Sequence, residues 1–420
     1  MIETSVLPCG IRLVTETMPD VHSVAVAYWV GTGSRDEPGE LAGASHFLEH
    51  LLFKGTERRT AAAIAEALDE VGGDCNAFTT KEYTTFYIRL LSDHLSLGLD
   101  ILSDIMWAPA LRPPEVEAER TVILDEILMH ADEPADLASE RWQAALFPGH
   151  PLGRDTLGTP STVQRITRDD IAGFFALHYR PSNMVVSAAG DCTHDAVARA
   201  LEGRFTGSRG GAAPTRSAPG PDGPALEVVR RDTEQAQLVY GARSVSRFDD
   251  RRWALAVLNQ VLGGGLSSRL FQKVREQRGL AYSVWSERAA YQDAGSLAVV
   301  VGTAPDHVDE VLRIVNEELE LLATGGITER ELAVAKGNLR AEMLLSGEDS
   351  GARMSRIGAS LLLHGEVLTV DEVLARIESV DRAQVLDVAA QWVQAPRTMS
   401  AVGPFDEDAF ESHLPTMAAR

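Results

Sequence analysis

His46 and His50 stand four residues apart with Glu49 between them, in the pentapeptide His46-Phe47-Leu48-Glu49-His50. On a helix this spacing is close to one turn, so both imidazoles project from one face toward a common point. Neutral imidazole nitrogens are good ligands for Zn2+, and a glutamate beside them is placed to accept a proton next to the ion. The order H-x-x-E-H reverses the H-E-x-x-H order in which other helices offer two histidines and a general base. The alternative is a helix with two incidental histidines and an exposed carboxylate. With eleven histidines in 420 residues, that coincidence is rare.

Two histidines do not complete a metal site, so a third ligand has to come from another element. Pro113 and Pro114 sit where a helix begins, and Glu115 to Ile127 continues it with an apolar stripe at Val116, Ile123 and Ile127. Glu119 and Glu126 on this helix are seven residues apart, two turns, and share a face. Stacked acids usually form a solvated surface. Beside a pair of histidines they read as a ligand and a carboxylate that supports one.

Taken together, His46-Phe47-Leu48-Glu49-His50-Leu51-Leu52-Phe53-Lys54-Gly55-Thr56, then Asn76-Ala77-Phe78-Thr79 with Glu82 and Thr84, then Glu119-Arg120-x-Val122-Ile123-x-x-Glu126, resemble the pitrilysin/insulinase family of zinc peptidases. The nearest likeness is to the branch holding the mitochondrial processing peptidase beta subunit and its bacterial relatives. Glu126 follows His50 by 76 residues, the family's interval. The resemblance implies one Zn2+ per chain held by His46, His50 and Glu126, with Glu49 as general base and Glu119 as supporting acid. It also implies that Asn76, Ala77, Phe78 and Thr79 form an edge strand on which a peptide substrate lies. Unpaired backbone groups make such addition chemically natural.

The likeness continues through Leu262-Gly263-Gly264-Gly265-Leu266-Ser267-Ser268-Arg269-Leu270-Phe271, the family's glycine-containing helix start, and through Arg275 and Tyr282, its R-x6-Y pair. In the family, two halves close as a clamshell, and this Arg and Tyr reach the substrate. A Tyr hydroxyl can donate to a developing oxyanion, and an Arg fork can hold a peptide backbone or carboxylate. The alternative for this pair is a helix-end Arg and a half-buried core Tyr. The glycine run is not a phosphate loop, because no Gly-Lys-Ser/Thr follows it.

The elements that must position these residues fall into two similar parts. The stretch Gly207 to Pro224 is rich in Gly, Pro and Ser and reads as a linker between a zinc-binding half, 1–206, and a second, metal-free half, 225–420. Tyr87 to Leu91 followed by Asp93-His94 parallels Ser296 to Val301 followed by Asp306-His307, and Glu115 to Ile127 parallels Glu331 to Met343. This self-similarity predicts an α+β fold of two homologous, sandwich-like α/β halves. The positions matching His46 and His50 fall near Asn259 to Leu266, where no histidine stands.

A length of 420 residues with 45% hydrophobic and 24% charged residues fits a globular chain of two or more domains. The net charge of −22 excludes nucleic acid as a natural partner and suits substrates bearing basic residues, although a solubilising surface accounts for most of it. Cys9, Cys75 and Cys192 imply no disulfide framework and no nucleophile. His94, His178, His307 and His130 read as caps or packing residues. No presequence and no apolar run long enough to span a membrane are seen, so a bacterial cytoplasm is the expected location. The expectation is a metalloendopeptidase acting on peptides or unfolded segments, alone, as a homodimer or with an inactive partner subunit. The alternatives are a catalytically silent peptide-binding or assembly subunit and a purely structural zinc site.

Overall fold

In strand Ser23–Val30, Val24, Val26, Tyr28 and Val30 enter one apolar cluster while Ala25, Ala27 and Trp29 enter another. Side chains of a strand alternate between faces, so a continuous apolar run means a sheet covered on both sides. The computed structural model describes residues 1–205, 213–406, 409, 410 and 413, and it contains two such sheets.

The first sheet holds β1 (Ile2–Val6), β2 (Arg12–Thr17), β3 (Ser23–Val30), β4 (Asp74–Thr79), β5 (Thr84–Leu91) and β6 (Met184–Gly190) in the order β1-β2-β6-β3-β5-β4. The second holds β7 (Ala225–Arg230), β8 (Ala236–Ser244), β9 (Ala281–Ala290), β10 (Gly295–Thr303) and β11 (Thr398–Gly403) in the order β7-β11-β8-β10-β9. Setting β1 aside, the two sheets match strand for strand. The β2–β6 and β7–β11 pairs are parallel and the others antiparallel. Helices Pro113–Asp132 and Glu329–Ser346 start 216 residues apart, continuing the repeat. The α+β reading with two homologous halves therefore holds.

The division of the chain departs from the one expected. One compact unit comprises Met1–Ile127, Arg154–Arg216 and Leu344–Thr369; the other comprises Leu128–Gly153, Ser217–Met343 and Val370–Arg420. In the first unit, helix Ser350–His364 covers the second face of the sheet with Met354, Ile357 and Leu361 against Trp29, Val14 and Val185. Gly358 lets Trp29 approach, because a Cβ there would stand 2.2 Å from the indole nitrogen. In the second unit, helix Pro134–Leu146 plays the same part with Leu137, Ala138, Trp142 and Leu146 against Val239 and Val300. An apolar stripe says that a helix packs, and not on which sheet, so sequence order misassigns both helices.

Residues 207–212 of the expected linker lie outside the described residues, and 213–224 carry no helix or strand. That segment is nevertheless anchored: Arg216 pairs with Asp36 at 2.7 Å and donates to the Glu82 carbonyl at 2.7 Å. The glycine run closes helix Arg252–Leu262, with Gly263 as its cap, and leads into the π-helical turn Phe271–Glu276. Among the described residues no helix is long and apolar enough to cross a membrane.

Candidate metal centre

The motif occupies helix Ala44–Leu52, which follows Gly43 at φ +98°, a left-handed conformation that favours glycine. Phe47, Leu48, Leu51 and Leu52 are buried in the first unit's core, which fixes the opposite face of the helix outward with His46, Glu49 and His50. Glu37 satisfies the start of this helix, accepting the Gly43 and Ser45 N–H groups at 2.8 and 2.7 Å. Burial pushes the Glu37 carboxyl up to about 7, although the backbone donors pull the other way.

The two histidines meet Glu126 from helix Pro113–Asp132. His46 Nε2 lies 3.1 Å from His50 Nε2, and Glu126 Oε2 lies 3.6 and 3.7 Å from the two nitrogens. Bonds of about 2.0–2.1 Å to a tetrahedral Zn2+ would set such ligand atoms about 3.3–3.4 Å apart, so the triangle has the size a zinc ion requires. His46, His50 and Glu126 form the group of potential ligands found among the described residues.

The orientation of His50 also fits a cation. Its Nδ1 lies 2.8 Å from Glu119 Oε1, and Glu119 is buried at 4% exposure. A carboxylate accepts only, so Nδ1 carries the proton and Nε2 presents a lone pair toward His46 and Glu126. Glu119 Oε2 in turn meets the Lys54 ammonium at 2.6 Å.

Glu49 stands beside the triangle without belonging to it. Its carboxyl is raised above the ordinary glutamate range by burial, an effect that the Thr79 hydroxyl and His50 partly offset. That hydroxyl donates to Glu49 Oε2 at 2.6 Å. Thr79 ends β4, the edge strand of the first sheet, and was expected to contact substrate; the structure adds a contact to Glu49. Elsewhere on β4, Asn76 Oδ1 accepts the Ala77 N–H, Ala77 is buried, and Phe78 is partly exposed among Trp29, Tyr83 and Tyr87. Glu82 forms a buried pair with Arg35 at 2.6 Å.

Arg275 and Tyr282 belong to the second unit, where the guanidinium lies 5.1 Å from the Tyr282 ring centroid and 4.9 Å from that of Phe271. Tyr282, on β9, is 77% exposed. That removes the half-buried core role considered for it. Asn259, near where the repeat would put a histidine, accepts the Ser286 hydroxyl at 2.9 Å. His178 packs on Phe174, and His94 and His307 precede helices, as packing residues and caps do.

Sequence reasoning missed the roles of Glu37, Lys54 and the Thr79 hydroxyl. A signal existed for Lys54, which follows His50 by four residues and so shares its face. None existed for Glu37, whose partners are backbone groups.

The sequence profile of the insulinase family, peptidase family M16, matches residues 12–160, and that of the peptidase M16 inactive domain matches residues 165–339. The chain belongs to this family. Among its M16 relatives, a protein of Streptomyces coelicolor is 42% identical over 98% of this chain and 92% of its own length, and one of Mycobacterium tuberculosis is 43% identical over 95% and 92%. A third, from Bacillus subtilis, is 36% identical over 96% and 98%. Each bears the name uncharacterized zinc protease. The M16 fold recurs in a crystal structure of a Helicobacter pylori protease, with TM-score 0.91 and 24% identity over 96% of this chain and 99% of that one. It recurs as well in a Pseudomonas fluorescens peptidase M16 inactive domain, with TM-score 0.89 and 21% identity over 97% and 98%.

Proposed function

We propose that the chain is a zinc metalloendopeptidase that hydrolyses peptides or unfolded protein segments, in the manner of a processing peptidase. Its M16 membership and full-length relatives named zinc proteases make it a peptidase with Zn2+ as cofactor. The observation that carries the finer reading is the triangle of His46, His50 and Glu126 with a separate, half-buried glutamate beside it. A structural zinc site would have no use for that glutamate.

In this reading His46, His50 and Glu126 hold the ion, and Glu119 fixes the His50 ring. Zinc supplies a Lewis acid for the scissile carbonyl and for water. Glu49 accepts the proton of the attacking water on its carboxylate and passes it to the leaving amine. A carboxyl raised by burial is a stronger base near neutral pH, which favours the first transfer. The Thr79 hydroxyl holds Oε2, so the carboxylate cannot swing away between the two transfers.

The substrate lies along Asn76, Ala77, Phe78 and Thr79 as an added strand of β4, with backbone hydrogen bonds that suit an extended, unfolded segment. Tyr282 donates to the oxyanion and Arg275 holds the peptide. The location we propose is the cytoplasm, where the free thiols of Cys9, Cys75 and Cys192 stay reduced. A homodimer and pairing with an inactive subunit are both compatible with one donor set per chain.

A mixed peptide library digested by the purified chain, with and without a chelator, tests this reading. Internal cleavages that disappear with the chelator and return with zinc are the expected result. Bound zinc with no cleavage of any peptide would favour the silent, peptide-binding alternative.

A further inference from the structure

Helix Ala44–Leu52 and the turn that follows it place three side chains on one face at intervals of four residues: His46, His50 and, two residues past the helix end, Lys54. The turn is fixed, with Phe53 N–H donating to the His50 carbonyl and Lys54 N–H to that of Leu51 at 3.0 Å. From there the ammonium reaches Glu119 Oε2 at 2.6 Å, while Glu119 Oε1 lies 2.8 Å from His50 Nδ1. Two oxygens of one buried carboxylate are thus divided between a cation and a ligand ring.

We infer that Lys54 is a positioning residue for the metal centre, acting on His50 through Glu119. The inference rests on the reading of His46, His50 and Glu126 as the zinc ligands. An exposed ion pair contributes little, but the Glu119 side chain is only 6% exposed, and its Oε2 would otherwise have to find another donor inside the protein. With Oε2 held, the carboxylate is fixed in rotation and so is the acceptor that defines the His50 proton and ring plane. With Oε2 released, either oxygen can face His50 and the ring gains freedom before the ion binds. Only four of the 39 basic residues of this chain are lysines, so its habitual cation is arginine. A compact ammonium suits a single carboxylate oxygen, whereas a guanidinium fork seeks both. Arginine here would compete with His50 for Glu119.

The other role open to Lys54 is that of a cation at a helix C-terminus, which any positive side chain fills regardless of Glu119. The test is zinc retention by the full chain in chelator competition, read as dissociation constant and release rate, with kcat/KM for a cleaved peptide beside it. Wild type, Glu126→Gln, Lys54→Met, Lys54→Arg, Glu119→Gln and the Lys54→Met/Glu119→Gln double variant are compared. Lys54→Met should weaken zinc about 10-fold, at the lower end of losses from groups that support a ligand. Lys54→Arg should fall between it and wild type. The double variant should lose no more than Glu119→Gln alone, because Lys54 acts only through that carboxylate. Wild-type zinc retention in Lys54→Met, or a full additional loss in the double variant, would overturn the inference. A wild-type chain that takes up no zinc, or a Glu126→Gln variant that retains it fully, would instead refute the ligand assignment on which the inference stands.

Discussion

Thr79→Val removes one hydroxyl and nothing else of comparable size, which makes it a sharp probe of how Glu49 works. The lost bond is an O–H donor on a carboxylate at 2.6 Å, short enough to be charge-assisted. Such bonds contribute about 1.5–3 kcal/mol, and each 1.4 kcal/mol is about tenfold in rate. Burial raises the Glu49 carboxyl and the Thr79 hydroxyl lowers it, so deleting the hydroxyl moves the carboxyl further up. The base must be ionised to act, so the acid limb of kcat/KM shifts to higher pH. Above that limb, kcat falls through lost orientation of the carboxylate. The two parts together amount to about 10- to 100-fold at neutral pH. The assay is kcat/KM against pH for wild type, Thr79→Val and Thr79→Ser on a cleaved peptide, with zinc content measured on each. Serine, which keeps the hydroxyl, should restore most of the activity. A Thr79→Val enzyme with wild-type rate and an unmoved acid limb would show that Glu49 needs no support from β4. A shift to lower pH would show the sign of the argument to be wrong.

Three further outcomes follow from other parts of the structure. Glu37 is raised to about 7 in the folded chain, so the stability it contributes is full below the unfolded glutamate value and is lost as pH rises through about 7. Melting curves of wild type and Glu37→Gln should therefore converge or cross in the variant's favour between about pH 5 and 8, by up to about 3 kcal/mol, and a pH-independent difference would contradict the burial argument. Residues 1–206 expressed alone lack helix Ser350–His364, whose Met354, Ile357 and Leu361 are buried on the first sheet. At about 1.5–3 kcal/mol each their loss approaches the stability of a domain, so the fragment should aggregate or bind a hydrophobic dye, and a monomeric fragment that melts cooperatively would count against the exchanged-helix packing. Tyr282→Phe should lower kcat by about 10²- to 10³-fold with zinc content unchanged; a wild-type kcat would remove Tyr282 from the catalytic set.

The chemistry was easier to read in the sequence than the architecture around it. His46, Glu49 and His50 are legible because a helix converts a spacing of four into a shared face, a local rule needing no tertiary knowledge. Glu126 is less so. Its seven-residue relation to Glu119 fixes a common face, but only the family resemblance named Glu126 as the candidate ligand and Glu119 as the supporting acid. The internal repeat was visible in the matched acidic helices and is mirrored in the matching strand orders of the two sheets. What sequence order could not reveal is the exchange of Pro134–Leu146 and Ser350–His364 between units, because an apolar stripe carries no address. Arg216 escaped for a related reason. It sits in a segment whose composition speaks only of flexibility, yet Asp36 and the Glu82 carbonyl, far away in sequence, hold it. Glu37 answers to backbone N–H groups, which leave no trace in a sequence.

The central claim is that one ion is held by His46, His50 and Glu126 while Glu49 handles protons without holding the ion. Zinc content per chain, measured with peptide hydrolysis on Glu49→Gln beside Glu126→Gln, tests it most directly. The account predicts that Glu49→Gln retains one zinc and loses hydrolysis, and that Glu126→Gln loses zinc. A Glu49→Gln chain without zinc, or one that still cleaves at the wild-type rate, would contradict it.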